Sequence, residues 1–185
     1  MKKIRFFVLL ITSCATVLMA CNTATPENYF DRAVLNCNMM TGFGDKGLQR
    51  QLEQPSVKLV EGTKDQSVPM KRKEVIDNLV QYLDESFAKI KALKETNDSR
   101  DMLQASTALY AYTLPVYKNE YTQLAKLYDD GAPAATIAAL AASIQEKYAV
   151  GFADRYNKVI EAGKPFALRH NINVKWDIHS SPENH

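Results

Sequence analysis

Between Met70 and Arg169 the apolar residues recur every three or four positions, and that period limits what the chain can fold into. Ile76, Leu79, Val80, Leu83, Phe87, Ile90 and Leu93 form one stripe, with Lys, Asp, Glu and Gln filling the intervening positions. Such spacing places the apolar side chains on one face of a helix running from about Met70 to Thr96. Asn97-Asp98-Ser99 supplies a break and a new cap. A third helix then runs to about Tyr128, carrying Leu103, Tyr110, Leu114, Tyr117, Tyr121, Leu124 and Tyr128. Pro115 lies inside it and is expected to kink it, because proline removes one backbone hydrogen bond and crowds the preceding turn. Asp129-Asp130-Gly131 ends this helix. A fourth runs from Pro133 to about Arg169, with Ile137, Leu140, Ile144, Tyr148, Phe152, Tyr156 and Val159 on one side. Gly163 and Pro165 are expected to bend or interrupt it.

The segment before Met70 is less regular. Thr25-Pro26 has the form of a helix start, with Thr as N-cap, Pro at the first helical position and Glu27 in the first turn. Tyr29, Phe30, Ala33, Val34 and Cys37 follow at helical spacing until the pattern stalls at Thr41-Gly42-Phe43-Gly44-Asp45-Lys46-Gly47. Leu48 and Leu52 resume it weakly. Residues 55–69 read as a loop in which Val57 and Leu59 alternate long enough for a short strand. At the other end Ile172, Val174, Trp176 and Ile178 alternate with polar residues, as a strand or an extended segment lying along the helices would. One amphipathic helix cannot bury its stripe alone. The expected fold is therefore all-α: an antiparallel bundle of about four long helices, the third kinked at a proline, with a short extended C-terminal segment.

Two of the three cysteines lie ahead of this domain. Lys2, Lys3 and Arg5 precede an apolar run from Phe6, the pattern of a secretory signal. The run is too short to span a membrane, which takes roughly 20 apolar residues. Ile11-Thr12-Ser13-Cys14 and Leu18-Met19-Ala20-Cys21 both have the form of the site where bacterial lipoproteins are cut and acylated. Cutting before Cys14 leaves a short apolar core and strands Ala15 to Ala20 on the mature chain. Cutting before Cys21 absorbs that stretch, and the sequence turns polar at once with Asn22-Thr23-Ala24-Thr25-Pro26. Cys21 is the expected lipidation site, with Cys14 as the alternative. Residues 1–20 are then the signal, 21–26 a lipidated tether, 27–171 the helical domain and 172–185 the tail.

Cleavage changes the charge balance. The whole chain has 23 Lys+Arg against 21 Asp+Glu, and loss of Lys2, Lys3 and Arg5 leaves 20 against 21, a formal −1. The excess basicity belongs to the signal, so charge gives no ground for expecting a nucleic-acid partner. With Cys21 acylated, only Cys37 remains, and no intramolecular disulfide can form.

In its order of elements the chain resembles a small helical surface-lipoprotein family of unknown function found in Bacteroidetes and spirochaetes. The resemblance rests on the lipobox, on Tyr29 and Val34 in the first helix, and on "IKALKETNDSRDMLQAS" joining two helices. "NEYTQLAKLYDDG" and the "PFALRHNINVK" ending carry the rest. It implies a lipid-anchored envelope protein and brings no catalytic residues. Gly42 to Gly47 departs from that family's unbroken first helix.

The remaining motifs read more simply as structure. Gly42, Gly44 and Gly47 fit the letters of a dinucleotide fingerprint, but a helical pattern precedes them where a strand is required. Cys37, Met39 and Met40 could form a soft set for copper(I). Cys37, however, falls on the apolar stripe, where a free cysteine packs as a small hydrophobe. Of the three histidines, His170, His179 and His185, two flank a terminal segment unsuited to a preformed zinc site. No Glu-x-x-His pair, no Gly-x-Ser-x-Gly and no set-apart carboxylate pair is present; Asp84/Glu85 and Asp129/Asp130 read as solvated faces or turns. No catalytic residue, metal or cofactor is expected. Tyr110, Tyr117 and Tyr121 are the candidate lining of a ligand groove, since tyrosine hydroxyls need polar partners at a bundle rim.

The expected function is a non-catalytic binding or scaffolding module, held by its N-terminal lipid in the outer membrane with the periplasmic face favoured. Its expected partner is an envelope protein. An immunity lipoprotein that neutralises a secreted toxin is the alternative, and an enzyme with an unrecognised site ranks third.

Overall fold

Thr25 accepts a hydrogen bond from the Asn28 backbone N–H and caps helix α1, Pro26–Ala33, with Pro26 in its first turn. In this computed structural model, residues 24–54 and 56–176 are described. The expected signal, Cys14, Cys21 and the tail from residue 177 lie outside them. Past Val34 the chain tightens into 3₁₀ turns, Leu35–Met40. The glycine loop then reverses it into α2, Lys46–Glu53, whose first turn is capped by Asp45. Gly44 has φ +68 and lies so close to the helix carrying Ala149 that a Cβ would stand 2.9 Å from the Ala149 Cα. Glycine is required there on both counts.

Strand β1, Val57–Leu59, pairs antiparallel with β2, Ser67–Pro69, Val57 opposite Pro69 and Leu59 opposite Ser67. The alternation at Val57 and Leu59 foreshadows β1. The partner strand falls in a stretch expected to be loop, because Ser67-Val68-Pro69 is too short to carry a pattern.

Two long helices follow, α3, Arg72–Lys91, and α4, Arg100–Val116; the short α5, Thr122–Asp129, continues the line of α4, and the third long helix is α6, Ala134–Arg169. The molecule is mainly helical. Tyr112 of α4 meets Tyr148 of α6, while Asp98, just before α4, meets Arg169 at the end of α6. These two helices therefore run in opposite directions. Phe87 stacks on Tyr110, and the backbone N–H of Arg72 reaches the Asp129 carboxylate at 2.8 Å, so α3 likewise opposes the α4–α5 rod.

Pro115 is accommodated inside α4, and the irregularity takes the form of a π turn, Tyr117–Tyr121, that passes directly into α5. The Thr122 hydroxyl donates to the Tyr117 carbonyl and the Asn119 amide to the Pro115 carbonyl. Side chains thus take up acceptors that the widened ladder leaves.

Gly163 and Pro165 do not interrupt α6, which is helical from Ala134 to Arg169. Gly163 serves close approach: a Cβ there would lie 2.9 Å from the Val34 Cγ2, so glycine lets α1 settle on α6. Among the described residues after α6, which end at Trp176, there is no strand. Ile172, Val174 and Trp176 lie extended against the core, with Trp176 edge-on to Phe30 at 5.8 Å.

Candidate functional site

Tyr117 and Tyr121 stack on each other at 5.2 Å and both face Phe43, which the glycine loop inserts among them. Phe43 also contacts Phe152 at 5.0 Å and Tyr148 at 6.4 Å. The Gly44 N–H donates to the Tyr121 hydroxyl at 2.7 Å and pins the loop. Tyr110 stands apart from this pair, stacked on Phe87. All three tyrosines are buried. Burial pushes the Tyr121 hydroxyl up to about 12 and raises those of Tyr110 and Tyr117 as well. The Tyr110 hydroxyl makes no hydrogen bond among the described residues. Of the three tyrosines expected to share a groove, the structure brings two together around Phe43 and places the third elsewhere in the core.

Cys37 is also buried; its thiol donates to the Ala33 carbonyl at 3.3 Å and lies 3.8 Å from the Ser106 hydroxyl. Desolvation raises it to about 12, far from the range where a thiolate acts as nucleophile or ligand. Met40 is buried and accepts from the Thr113 hydroxyl, whereas Met39 is exposed, so the three sulfurs do not share one environment. His170 pairs with Asp98, which also accepts from Arg169. The Asp98 carboxyl is held below its ordinary value, first by the His170 hydrogen bond and then by Arg169. Among the described residues no three His, Cys, Asp or Glu side chains gather as a metal site would require. His179 and His185 lie outside those residues.

The two ends of the helical rod differ in character. At one end sit the start of α1, the end of α3, the start of α4 and the end of α6. The Tyr29 hydroxyl donates to the Lys94 carbonyl there, and Asp98 joins Arg169 and His170. A cleft of about 670 Å³ opens between α4 and α6 at this end, lined by Asp98, Asp101, Met102, Lys158, Glu161 and Arg169 among others. It carries both signs of charge and no deeply buried polar group. At the other end the Met70 N–H donates to the Ser56 carbonyl, Arg72 Nε reaches the Leu52 carbonyl, and Asp129 caps α3. The β1–β2 hairpin lies at this second end. Val57 is 63% exposed and Leu59 64%, two large aliphatic side chains on one face of a strand, whereas Val150 and Leu168 of α6 are exposed singly. The 20 residues of α3 separate the ends by about 30 Å.

Protein-family models, curated proteins and solved structures give no match to this chain.

Three features escaped sequence reasoning. Asp129, read as a solvated turn residue, accepts from the Arg72 and Lys73 backbone N–H groups and caps a helix 57 positions away in sequence. Its placement depends on tertiary packing, and no local signal marks it. Phe43 lay in a loop read only as a helix break; a lone aromatic between two glycines was the available clue. The exposed edge of the hairpin required the register of both strands.

Proposed function

We propose that the protein is a lipid-anchored, non-catalytic binding module of the cell envelope, attached through Cys21 to the outer membrane. In this reading the helical domain is an antiparallel bundle of about four long helices that holds a binding surface away from the anchor. The single observation carrying this reading is the division of the ends. The tether enters α1 at one end, and the exposed apolar hairpin stands about 30 Å away at the other.

Among the described residues no helix is long and apolar enough to cross a membrane, so attachment falls to the lipid in this reading. Stable anchoring needs more than one acyl chain, at about 0.8 kcal/mol per buried methylene, and a multiply acylated cysteine supplies that. Asn22 is not the aspartate that usually retains lipoproteins at the inner membrane. Glu27 is the first acid after the cysteine, which favours the periplasmic leaflet.

The test is gentle detergent extraction of the full chain from its own cells, followed by identification of what accompanies it. A stable complex with an envelope protein is the expected result. A complex with a secreted toxin would replace this reading with the immunity alternative, and extraction as a lone soluble protein would overturn it.

A further inference from the structure

We propose that the outer edge of β1 docks an extended strand from a partner protein, adding a third strand to the hairpin. The inference deepens the binding-module reading and rests on it for the kind of partner. The ladder itself supplies the argument. The Val60 N–H donates to the Gln66 carbonyl at 2.8 Å and the Met70 N–H to the Ser56 carbonyl at 2.6 Å. With Lys58 opposite Val68, these fix the hydrogen-bonded pairs at 56/70, 58/68 and 60/66. In an antiparallel ladder the intervening pairs turn their backbone groups outward. The N–H and C=O of both Val57 and Leu59 therefore point away from β2.

The two edges are not equivalent. On β2 the outward positions are Ser67 and Pro69, and proline has no N–H to give. That edge is blunted, and among the described residues no strand pairs with the β1 edge. Side chains agree with the backbone. Lys58 turns toward α3 and pairs with Glu74 at 2.7 Å, whereas Val57 and Leu59 lie on the opposite face, exposed. A two-stranded hairpin with one open edge and apolar side chains on its outer face is a site for strand addition, in which backbone bonds give affinity and alternate side chains give selectivity.

The occupant is a different protein. A second copy paired antiparallel about the centre of β1 would set Lys58 against Lys58, a like-charge pair that disfavours the register. The chain's own tail leaves the described residues at Trp176, which packs on Phe30 at the far end of the rod. The fitting partner segment is extended, with apolar residues at alternate positions to lie beside Val57 and Leu59.

The experiment places a photo-crosslinking amino acid at position 57 of the full chain in its own cells, with position 150 on α6, also exposed, as control. It is repeated in Leu59→Pro and Leu59→Val backgrounds. Leu59→Pro removes an outward N–H and leaves the internal ladder bonds in place, as Pro69 does on the other strand. Leu59→Val keeps the N–H. The expected result is an adduct from position 57 whose crosslinked peptide on the partner alternates apolar and polar residues. Its yield falls roughly tenfold with Leu59→Pro, the scale of one or two lost hydrogen bonds plus a blocked approach, and persists with Leu59→Val. An adduct equal to the position-150 control, one insensitive to Leu59→Pro, or one to lipid or a second copy of the chain would overturn the proposal. Membrane fractionation of the same cells keeps the two readings separate. A chain that is membrane-bound but yields no such adduct defeats the edge proposal alone, and a soluble chain defeats the anchor.

Discussion

A buried acid that keeps its proton makes stability depend on pH, and Cys37 with the core tyrosines are such acids. Burial raises the Cys37 thiol from 9.0 to about 12. Above pH 9 the unfolded chain releases a proton that the native state retains, so the linkage sign is negative and stability falls as pH rises. Tyr121, raised from 10.0 to about 12, and Tyr110 and Tyr117, shifted the same way, join from pH 10 upward. The midpoint of urea unfolding is expected to hold steady up to about pH 8 and then drop, with each group adding at most about 1.4 kcal/mol per pH unit. Cys37→Ala should cost on the order of 1 kcal/mol at neutral pH through lost packing. It should also delay the onset of the alkaline fall toward pH 10. A thiol that reacts with a thiol reagent in the native protein at pH 8 would contradict this account. Its burial was legible: Cys37 sits on the stripe with Ala33 and Val34. The depth of the tyrosines was not, since a stripe gives the face and only neighbours from elsewhere in the chain, Phe43 above all, give the burial.

At the scale of elements the junctions carry the sharpest expectations. Asp129 caps α3 from the end of α5, and Asp129→Ala leaves two first-turn N–H groups without their acceptor. The loss should be about 1–2 kcal/mol in urea unfolding, the usual range for a helix cap, and Asp129→Asn should recover part of it. A loss no larger than that of an exposed surface substitution would show the cap to be unimportant. The glycines separate two physical causes. Gly44→Ala meets a left-handed backbone, about 1–2 kcal/mol, and an unyielding contact with the Ala149 backbone, so it should cost more than 2 kcal/mol. Gly163→Ala meets both methyl groups of the buried Val34, the nearer at 2.9 Å, and the Phe30 ring at 3.5 Å, but no backbone atom and no left-handed φ. It also gains roughly 1 kcal/mol of helix propensity, so it should cost less than Gly44→Ala. The reverse order of the two midpoints would refute the assignment. The long helices were legible because their apolar period persists for five turns or more, and Thr25-Pro26 announced its own cap. The form of the Pro115 irregularity, the continuity of α6 past Gly163 and the strand Ser67–Pro69 were not legible. Each depends on a partner segment that local pattern does not name.

At the scale of the molecule, a helical rod is proposed to carry an anchor at one end and a docking edge at the other. The buried core of the described residues is built from Phe30 to Ala167. The chain from residue 21 onward carrying Cys21→Ser should therefore be soluble and give a circular dichroism spectrum dominated by helix, and a strand-dominated spectrum would contradict the fold. The cleft between α4 and α6 lies at the tethered end, within reach of a bilayer. Residues 22–26 span at most about 17 Å fully extended, so under the proposed anchoring the domain would stay near the membrane with its hairpin facing away. Membrane attachment through Cys21 is the claim on which the rest depends, and fractionation of cells expressing single cysteine variants of the full chain tests it most directly. The account predicts that Cys21→Ser moves the protein into the soluble fraction or leaves it uncleaved and unacylated, while Cys14→Ser remains membrane-bound and acylated. Acylation that survives in Cys21→Ser and is lost in Cys14→Ser would contradict it.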